Sequence, residues 1–211
     1  MSKSLNIKEI FYSLQGEALE VGLPTVFIRL IGCPLRCVYC DSEYAFYGKN
    51  IMSFEDIFAE ISKYKTKNIC ITGGEPLASK NVFGLIDALV DKDYHISIET
   101  SGSIDISPIN PQTSIVMDIK TPDSGECDKN LLSNLDKLGN KDQLKFVIMS
   151  KNDFDWCVDF IEKHLITAHI LFSPVATLNP TLLADWILEC GLNVRMQVQL
   201  HKILWGDKPG K

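Results

Sequence analysis

Six short apolar runs rich in β-branched residues punctuate the chain, at 25–30, 68–72, 95–99, 114–118, 144–149 and 168–172. Runs of this length and composition read as strands, and most of the stretches between them carry helical periodicity. Ser53 is placed to cap a helix with Asp56 three residues on, and the apolar face of that helix is Phe54, Ile57, Phe58 and Ile61. Val82, Phe83, Ile86, Leu89 and Val90 form a second face, and Leu131, Leu132, Leu135 and Leu138 a third that stops at Gly139. Asn152 opens another segment, with Phe154, Cys157, Val158 and Ile161 at helical spacing. The last helix is the clearest. Asn179 caps it, Pro180 takes the first helical position, Leu182, Leu183, Trp186 and Ile187 face inward, and Gly191 ends it. Strands alternating with helices imply a parallel sheet, and right-handed crossovers curve or close it into a barrel-like α/β domain.

A length of 211 residues, 45% hydrophobic and 23% charged, suits one globular core. No linker, repeat or low-complexity tract divides the chain, so 1–211 reads as a single domain. The opening segment has no long apolar run and no later stretch is long enough to span a bilayer, so neither a signal peptide nor a membrane partner is expected, and the location is cytoplasmic. In that reducing compartment an odd set of seven cysteines does not read as a disulfide framework, and a cluster of them points to metal or chemistry. A net charge of −6 argues against nucleic acid as the main partner, because phosphate binding calls for a basic surface.

In parallel α/β folds the reactive face lies at the carboxyl ends of the strands. Here those ends read GCPLRCVYCDS, TGGEP, ETSG, MDIKTPDSG and FSPV. In the first, Cys33, Cys37 and Cys40 are spaced C-x3-C-x2-C, close enough for three thiolates to converge on one centre. Structural zinc normally takes four protein ligands, whereas three cysteines on a four-iron cluster leave one iron open to another ligand. The alternative is zinc completed by Asp41 or by a distant Cys70, Cys127, Cys157 or Cys190. Otherwise those four cysteines read as buried small apolar residues.

Arg29 sits in an apolar strand, FIRL, where a guanidinium needs a partner: the carboxylate of a ligand, or Glu17 in a buried ion pair. Glu17 and Gln15 can read the polar edge of a bicyclic ligand.

On C-x3-C-x2-C and TGGEP the sequence resembles the radical S-adenosylmethionine (SAM) enzymes, in which SAM chelates the open iron and is cleaved to a 5′-deoxyadenosyl radical. The segments SLQGE, ETSG, DIKTPDSG, FSPV and the QLHK tail make it resemble, within that superfamily, the 7-carboxy-7-deazaguanine synthases over nearly the whole chain. The resemblance implies a partial, modified (β/α)6-type barrel. It also implies conversion of 6-carboxy-5,6,7,8-tetrahydropterin to 7-carboxy-7-deazaguanine, with ring contraction and loss of ammonia. The implied cofactors are a [4Fe-4S] cluster on Cys33, Cys37 and Cys40, SAM, and Mg2+ on Ser42. For the pterin the resemblance assigns Leu14, Gln15, Gly16, Glu17, Arg29, Thr72, His201 and Lys211. For SAM it assigns Tyr39, Cys40, Asp41, Gly74, Glu75, Ser101, Asp118, Ile119, Lys120, Ser173, Pro174, Val175 and Ala176. It divides the chain into a substrate segment 10–30, a cluster loop 32–42 and a tail 199–211, and it implies a homodimer and a reductase or flavodoxin-type electron donor. Bland readings stand beside some of these: core packing for Tyr39, a solvent-facing His201, and a surface pair for Asp118 and Lys120. Ser42 stands where the family more often has Thr, Ala18 where glycine is usual, and Ser101 where Asn is common; Ala18 is the departure that could alter the turn after Glu17.

Two other functions fit parts of the pattern. A radical SAM activating enzyme that acts on a glycine of a partner protein shares the cysteine spacing, but calls for a broad docking surface. A non-catalytic zinc or electron-transfer module would bind metal without responding to SAM.

Overall fold

The computed structural model of the chain describes residues 3–206, 208 and 210. Nine strands form one sheet in the order β3-β1-β2-β4-β5-β6-β7-β8-β9. They are β1 (Ser4–Leu14), β2 (Pro24–Leu30), β3 (Ile51–Ser53), β4 (Asn68–Gly73), β5 (His95–Thr100), β6 (Ser114–Ile119), β7 (Gln143–Ile148), β8 (His169–Pro174) and β9 (Arg195–Met196). From β2 to β9 every pairing is parallel, while β1 runs antiparallel to both its neighbours. With β3 and β9 as free edges, the sheet is an open, partial barrel.

All six expected strands are present. β1 is an addition, as are the short edges β3 and β9. The alternation in β1 is interrupted by an irregularity in its pairing between Ile7 and Glu9, which turns its faces over: Leu5 and Ile7 enter the core, while Glu9, Phe11 and Ser13 face the concave side.

Four helices cover the convex face: α1 (Phe54–Ile61), α2 (Asn81–Val90), α3 (Lys151–Lys163) and α4 (Pro180–Cys190). α1 starts on the expected capping box, in which Ser53 and Asp56 exchange bonds. α4 runs from the Asn179 cap to Gly191 in the left-handed conformation. Three details differ from expectation. α3 begins at Lys151 under a Ser150 cap, one residue before Asn152. The leucine-rich segment before Gly139 is a 3-10 helix, Leu132–Lys137, because Asn134 and the Leu131 N–H are drawn to the carbonyls of Gly102 and Ile104; only Leu135 and Leu138 of its leucines are buried. In α4, Leu183 and Ile187 face the core but Leu182 is exposed. Of the cysteines expected to be buried, Cys70 and Cys157 are, whereas Cys190 is exposed at the end of α4 and Cys127 is partly exposed. A fifth helix, α5 (Leu200–Trp205), lies in the tail.

The period of two along each strand sorts its residues. Ile28, Ile69, Ile71, Ile98, Met117, Ile119, Phe146 and Ile148 point to the helices and form the core. Their alternating neighbours Arg29, Thr72, Glu99, Asp118, Lys145 and Ser173 point the other way and line one cavity.

Candidate active site

The cavity, about 830 Å³, lies on the concave side of the sheet under the loops at the strands' carboxyl ends. Register brings its charges together. Asp118 and Lys145 are direct cross-strand partners, as are Arg29 and Thr72. Lys145 Nζ lies 3.0 Å from Glu17 Oε2 and 3.5 Å from Asp118 Oδ2, and Asp118 Oδ1 is 3.1 Å from Lys120 Nζ. The Asp118–Lys120 pair is therefore no surface feature: its side chains are only 16% and 10% exposed.

Arg29 pairs with Glu9 through Nε at 2.8 Å, not with Glu17. The reason is the hairpin: β1 sets Glu9 opposite Arg29, whereas Glu17 lies in the connection beyond β1 and meets Lys145. Tyr44 donates to the same Glu9 oxygen at 2.7 Å and its ring lies 5.7 Å from the Arg29 guanidinium carbon. Among the described residues the Arg29 Nη atoms make no hydrogen bond, which leaves its two-pronged edge for a ligand.

Burial by itself would raise the Glu17 carboxyl, but the Lys145 ammonium and the bonds from Gln199 and Lys145 hold it below the ordinary range. Burial likewise disfavours the charged form of Lys145, and Glu17, Asp118 and Glu99 more than reverse this, so the ammonium persists. Lys120 follows the same pattern, held charged against burial mainly by Asp118.

Gln15 is buried; its carbonyl accepts from the Gly16 and Glu17 N–H groups and so shapes the turn that presents Glu17. Ala18 follows with φ +67°, its N–H on Gln197 Oε1 at 2.7 Å and its methyl packed with Val116 and Leu171. The turn is thus kept with alanine in a conformation that favours glycine. Thr72 donates to Glu99 at 2.9 Å. His201 is half-buried rather than solvent-facing: a Cβ on Gly16 would lie 2.0 Å from its Nδ1. Leu14, Gln15, Gly16, Glu17, Arg29, Thr72 and His201 all line the cavity, and Lys211 lies outside the described residues.

Cys33, Cys37 and Cys40 line the same cavity, with Tyr39, Asp41 and Ser42. Burial raises the Cys33 thiol and pushes Cys37 up to about 11, so taking up a metal there must release protons. Among the described residues no three His, Cys, Asp or Glu side chains meet closely enough to hold one metal ion. Three cysteines that line one cavity are the ligand type an iron–sulfur cluster takes.

Glycines let the loops close on one another. A Cβ on Gly74 would lie 2.4 Å from the Gly32 carbonyl and 2.7 Å from Cys33 Cβ, so the TGGEP turn supports the cluster loop directly. The Glu75 carboxylate does not reach the cavity. It is buried and accepts from the Leu77 and Ser101 N–H groups and from the Thr100 and Ser101 hydroxyls. Gly74 and Ser101 do line the cavity, as do Asp118, Lys120 and the Ser173–Ala176 stretch, whereas the Ile119 side chain is in the core.

Several lining residues were not among the expected site residues, and Glu9, Glu99, Lys145 and Gln199 are those whose polar groups reach the site's charges. For Glu99 and Lys145 the signal existed, since each is the single Asp, Glu, Lys or Arg of its strand, as Arg29 is.

Residues 27–124 match the Radical SAM superfamily. The chain is 39% identical over 207 residues to the 7-carboxy-7-deazaguanine synthase of Chlorobaculum tepidum, covering 95% of this chain and 94% of that protein. It is 36% identical to the protein of that name from Koribacter versatilis (95% and 97% covered) and 35% identical to that from Thermoplasma acidophilum (97% and 99%). The crystal structure of QueE from Escherichia coli superposes with a TM-score of 0.80 at 24% identity, over 94% of this chain and 95% of that one, a likeness of fold.

Proposed function

The chain belongs to the 7-carboxy-7-deazaguanine synthase family of radical SAM enzymes, and from that premise we propose how its residues divide the work. It is a lyase that forms 7-carboxy-7-deazaguanine from 6-carboxy-5,6,7,8-tetrahydropterin, with contraction of the reduced ring and loss of ammonia. The observation that carries the division of roles is that one cavity joins the three cysteines to charged residues projecting from β1, β2, β5, β6 and β7.

Cys33, Cys37 and Cys40 hold the [4Fe-4S] cluster. Tyr39, Asp41, Gly74, Ser101, the Asp118–Lys120 stretch and Ser173–Ala176 line the SAM half, and Glu75 acts one step back by orienting Ser101. When bound, the cluster and SAM together supply reversible abstraction of a hydrogen atom from carbon. At the other half Arg29 binds the pterin carboxylate through its free edge, Glu17 accepts from the amidine edge, and Gln15, Thr72 and His201 complete the walls with Leu14 and Gly16. Holding both ends of a rigid bicycle decides which carbon faces SAM, and such orientation is worth about 7–11 kcal/mol in favourable cases.

Lys145 keeps Glu17 ionised at neutral pH, so the acceptor is ready before substrate arrives. Ser42 contributes one hydroxyl to Mg2+, an ion that takes its remaining ligands from water and substrate. Segments 10–30, 32–42 and 199–211 then serve as substrate, cluster and tail parts of one domain. Cytoplasmic location, a homodimer and a reductase or flavodoxin-type electron donor complete the reading.

The test is anaerobic reconstitution with iron and sulfide, followed by reductant, SAM, Mg2+ and 6-carboxytetrahydropterin, with products read by mass spectrometry. Formation of 7-carboxy-7-deazaguanine with SAM recovered supports the assignment. Cleavage of SAM to 5′-deoxyadenosine with the pterin intact would refute the substrate and bring the glycyl-radical activating reading forward.

A further inference from the structure

The Gln199 amide nitrogen donates to two carboxylates at once, Glu17 Oε1 at 2.7 Å and Asp41 Oδ2 at 3.2 Å. By the proposed assignment these neighbouring carboxylates serve different ligands. Glu17 is in the turn after β1, on the pterin side, and Asp41 directly follows Cys40 on the cluster loop. A primary amide has two N–H donors, so one side chain can satisfy both, and without it two anions would face each other with no donor between them.

Gln199 also begins α5. Its carbonyl accepts from Lys202 and Ile203, and α5 buries none of its residues completely. Contacts at the start of the helix tie it to the cavity: the Leu200 N–H on the Gly16 carbonyl at 3.0 Å, His201 against Gly16, and the Gln199 amide. The second Glu17 oxygen continues to Lys145 and from there to Asp118 and Lys120. Displacing either Glu17 or Asp41 therefore displaces the start of α5, and with it the wall that His201 adds.

We infer that Gln199 is a positioning residue that couples the two halves of the cavity: by bonding Glu17 and Asp41 together it makes SAM and pterin bind cooperatively and lets α5 seat only when both loops are in place. The inference rests on the proposed assignment of SAM to the Asp41 side and pterin to the Glu17 side. A ligand that holds one carboxylate in position fixes the amide, and the fixed amide holds the other carboxylate in position. The coupling must then be reciprocal.

Equilibrium dialysis on the anaerobically reconstituted full chain, without reductant so that nothing turns over, measures SAM affinity with and without 6-carboxytetrahydropterin, and pterin affinity with and without SAM. In the wild type each ligand should tighten the other by the same factor, about fivefold or more. Gln199→Leu should bring that factor to about one. Gln199→Lys should keep most of it, because an ammonium can also donate to both carboxylates, whereas a role in packing alone would not separate Leu from Lys. Hydrogen exchange in the ligand-free chain gives an independent reading: Gln199→Leu should expose the amides of 200–205 faster than wild type, and Gln199→Lys should not. Equal coupling in wild type and Gln199→Leu, or unchanged exchange, overturns the inference. A wild type that binds SAM but no pterin overturns the substrate assignment and the coupling with it, while the exchange measurement still reports whether the amide holds α5.

Discussion

Replacing Lys145 by Met removes the one ammonium that lies between Glu17, at 3.0 Å, and Asp118, at 3.5 Å. The lysine side chain is 14% exposed, Glu17 15% and Asp118 16%; Asp118 keeps Lys120 at 3.1 Å, so Glu17 is the carboxylate left without its ammonium. Removing one partner of a buried ion pair costs about 3–5 kcal/mol, because the other charge is left uncompensated. For a domain of this size each kcal/mol moves the thermal midpoint by about 2–4 °C, so Lys145→Met should lower it by about 6–20 °C at pH 8. Glu17 gives the deficit a pH signature. Its carboxyl is held below the ordinary range in the folded wild type, so it contributes stability above the unfolded pKa that is lost as pH falls through the folded value. Without Lys145 the largest influence left is burial, which raises the carboxyl, so the variant gains from protonation where the wild type loses. The wild-type loss sets in below the ordinary carboxyl value of 4.5, so the difference between the two should narrow as pH falls from 8 to about 3. The assay is thermal unfolding of the ligand-free chain followed by circular dichroism across that range, with Lys145→Met/Glu17→Gln as a second variant that removes the stranded charge and recovers part of the loss. A constant deficit at every pH, unrelieved by the double substitution, would show that Lys145 contributes through packing and that the charge argument is wrong.

Other outcomes follow from the same geometry. Arg29→Ala should raise the KM for the pterin by about 10- to 100-fold, the worth of a charge-assisted bond, while reductant-driven SAM cleavage persists; parallel loss of both would sink the assignment. Ser42→Ala should shift the Mg2+ dependence of turnover to higher concentration, and an unchanged titration would remove Ser42 as a ligand. Gly16→Ala places a Cβ where His201 Nδ1 now sits, so it should loosen α5 and raise the pterin KM, read by hydrogen exchange of 200–205 alongside kinetics; wild-type exchange would mean that His201 simply moves aside.

Six strands, four helices and the cysteine loop were legible because their signals are local. A β-branched run, a cap three residues before its partner, or a C-x3-C-x2-C spacing each lies within a few neighbouring residues, and period-two alternation even foretells that Arg29 and Thr72 face away from the helices. β1 was missed because an irregularity between Ile7 and Glu9 swaps its faces, so that Leu5 and Ile7 enter the core while Glu9, at the same parity, faces the cavity and the period of two is broken. Partners were the part that local pattern could not supply. Arg29 chooses Glu9 over Glu17 because the β1–β2 hairpin fixes which residues stand opposite each other. Glu17 meets Lys145 across 128 positions, and Gln199 meets Glu17 across 182, once the crossovers have stacked the strands and the tail has returned over the turn. Sequence by itself determined the six central strands, the four long helices and the cysteine loop, since backbone and side-chain preferences act between near neighbours. Only the tertiary structure decided which buried charge neutralises which, since that depends on register and on strand order, and a charge removed from water takes whichever counter-charge the fold brings within about 3 Å.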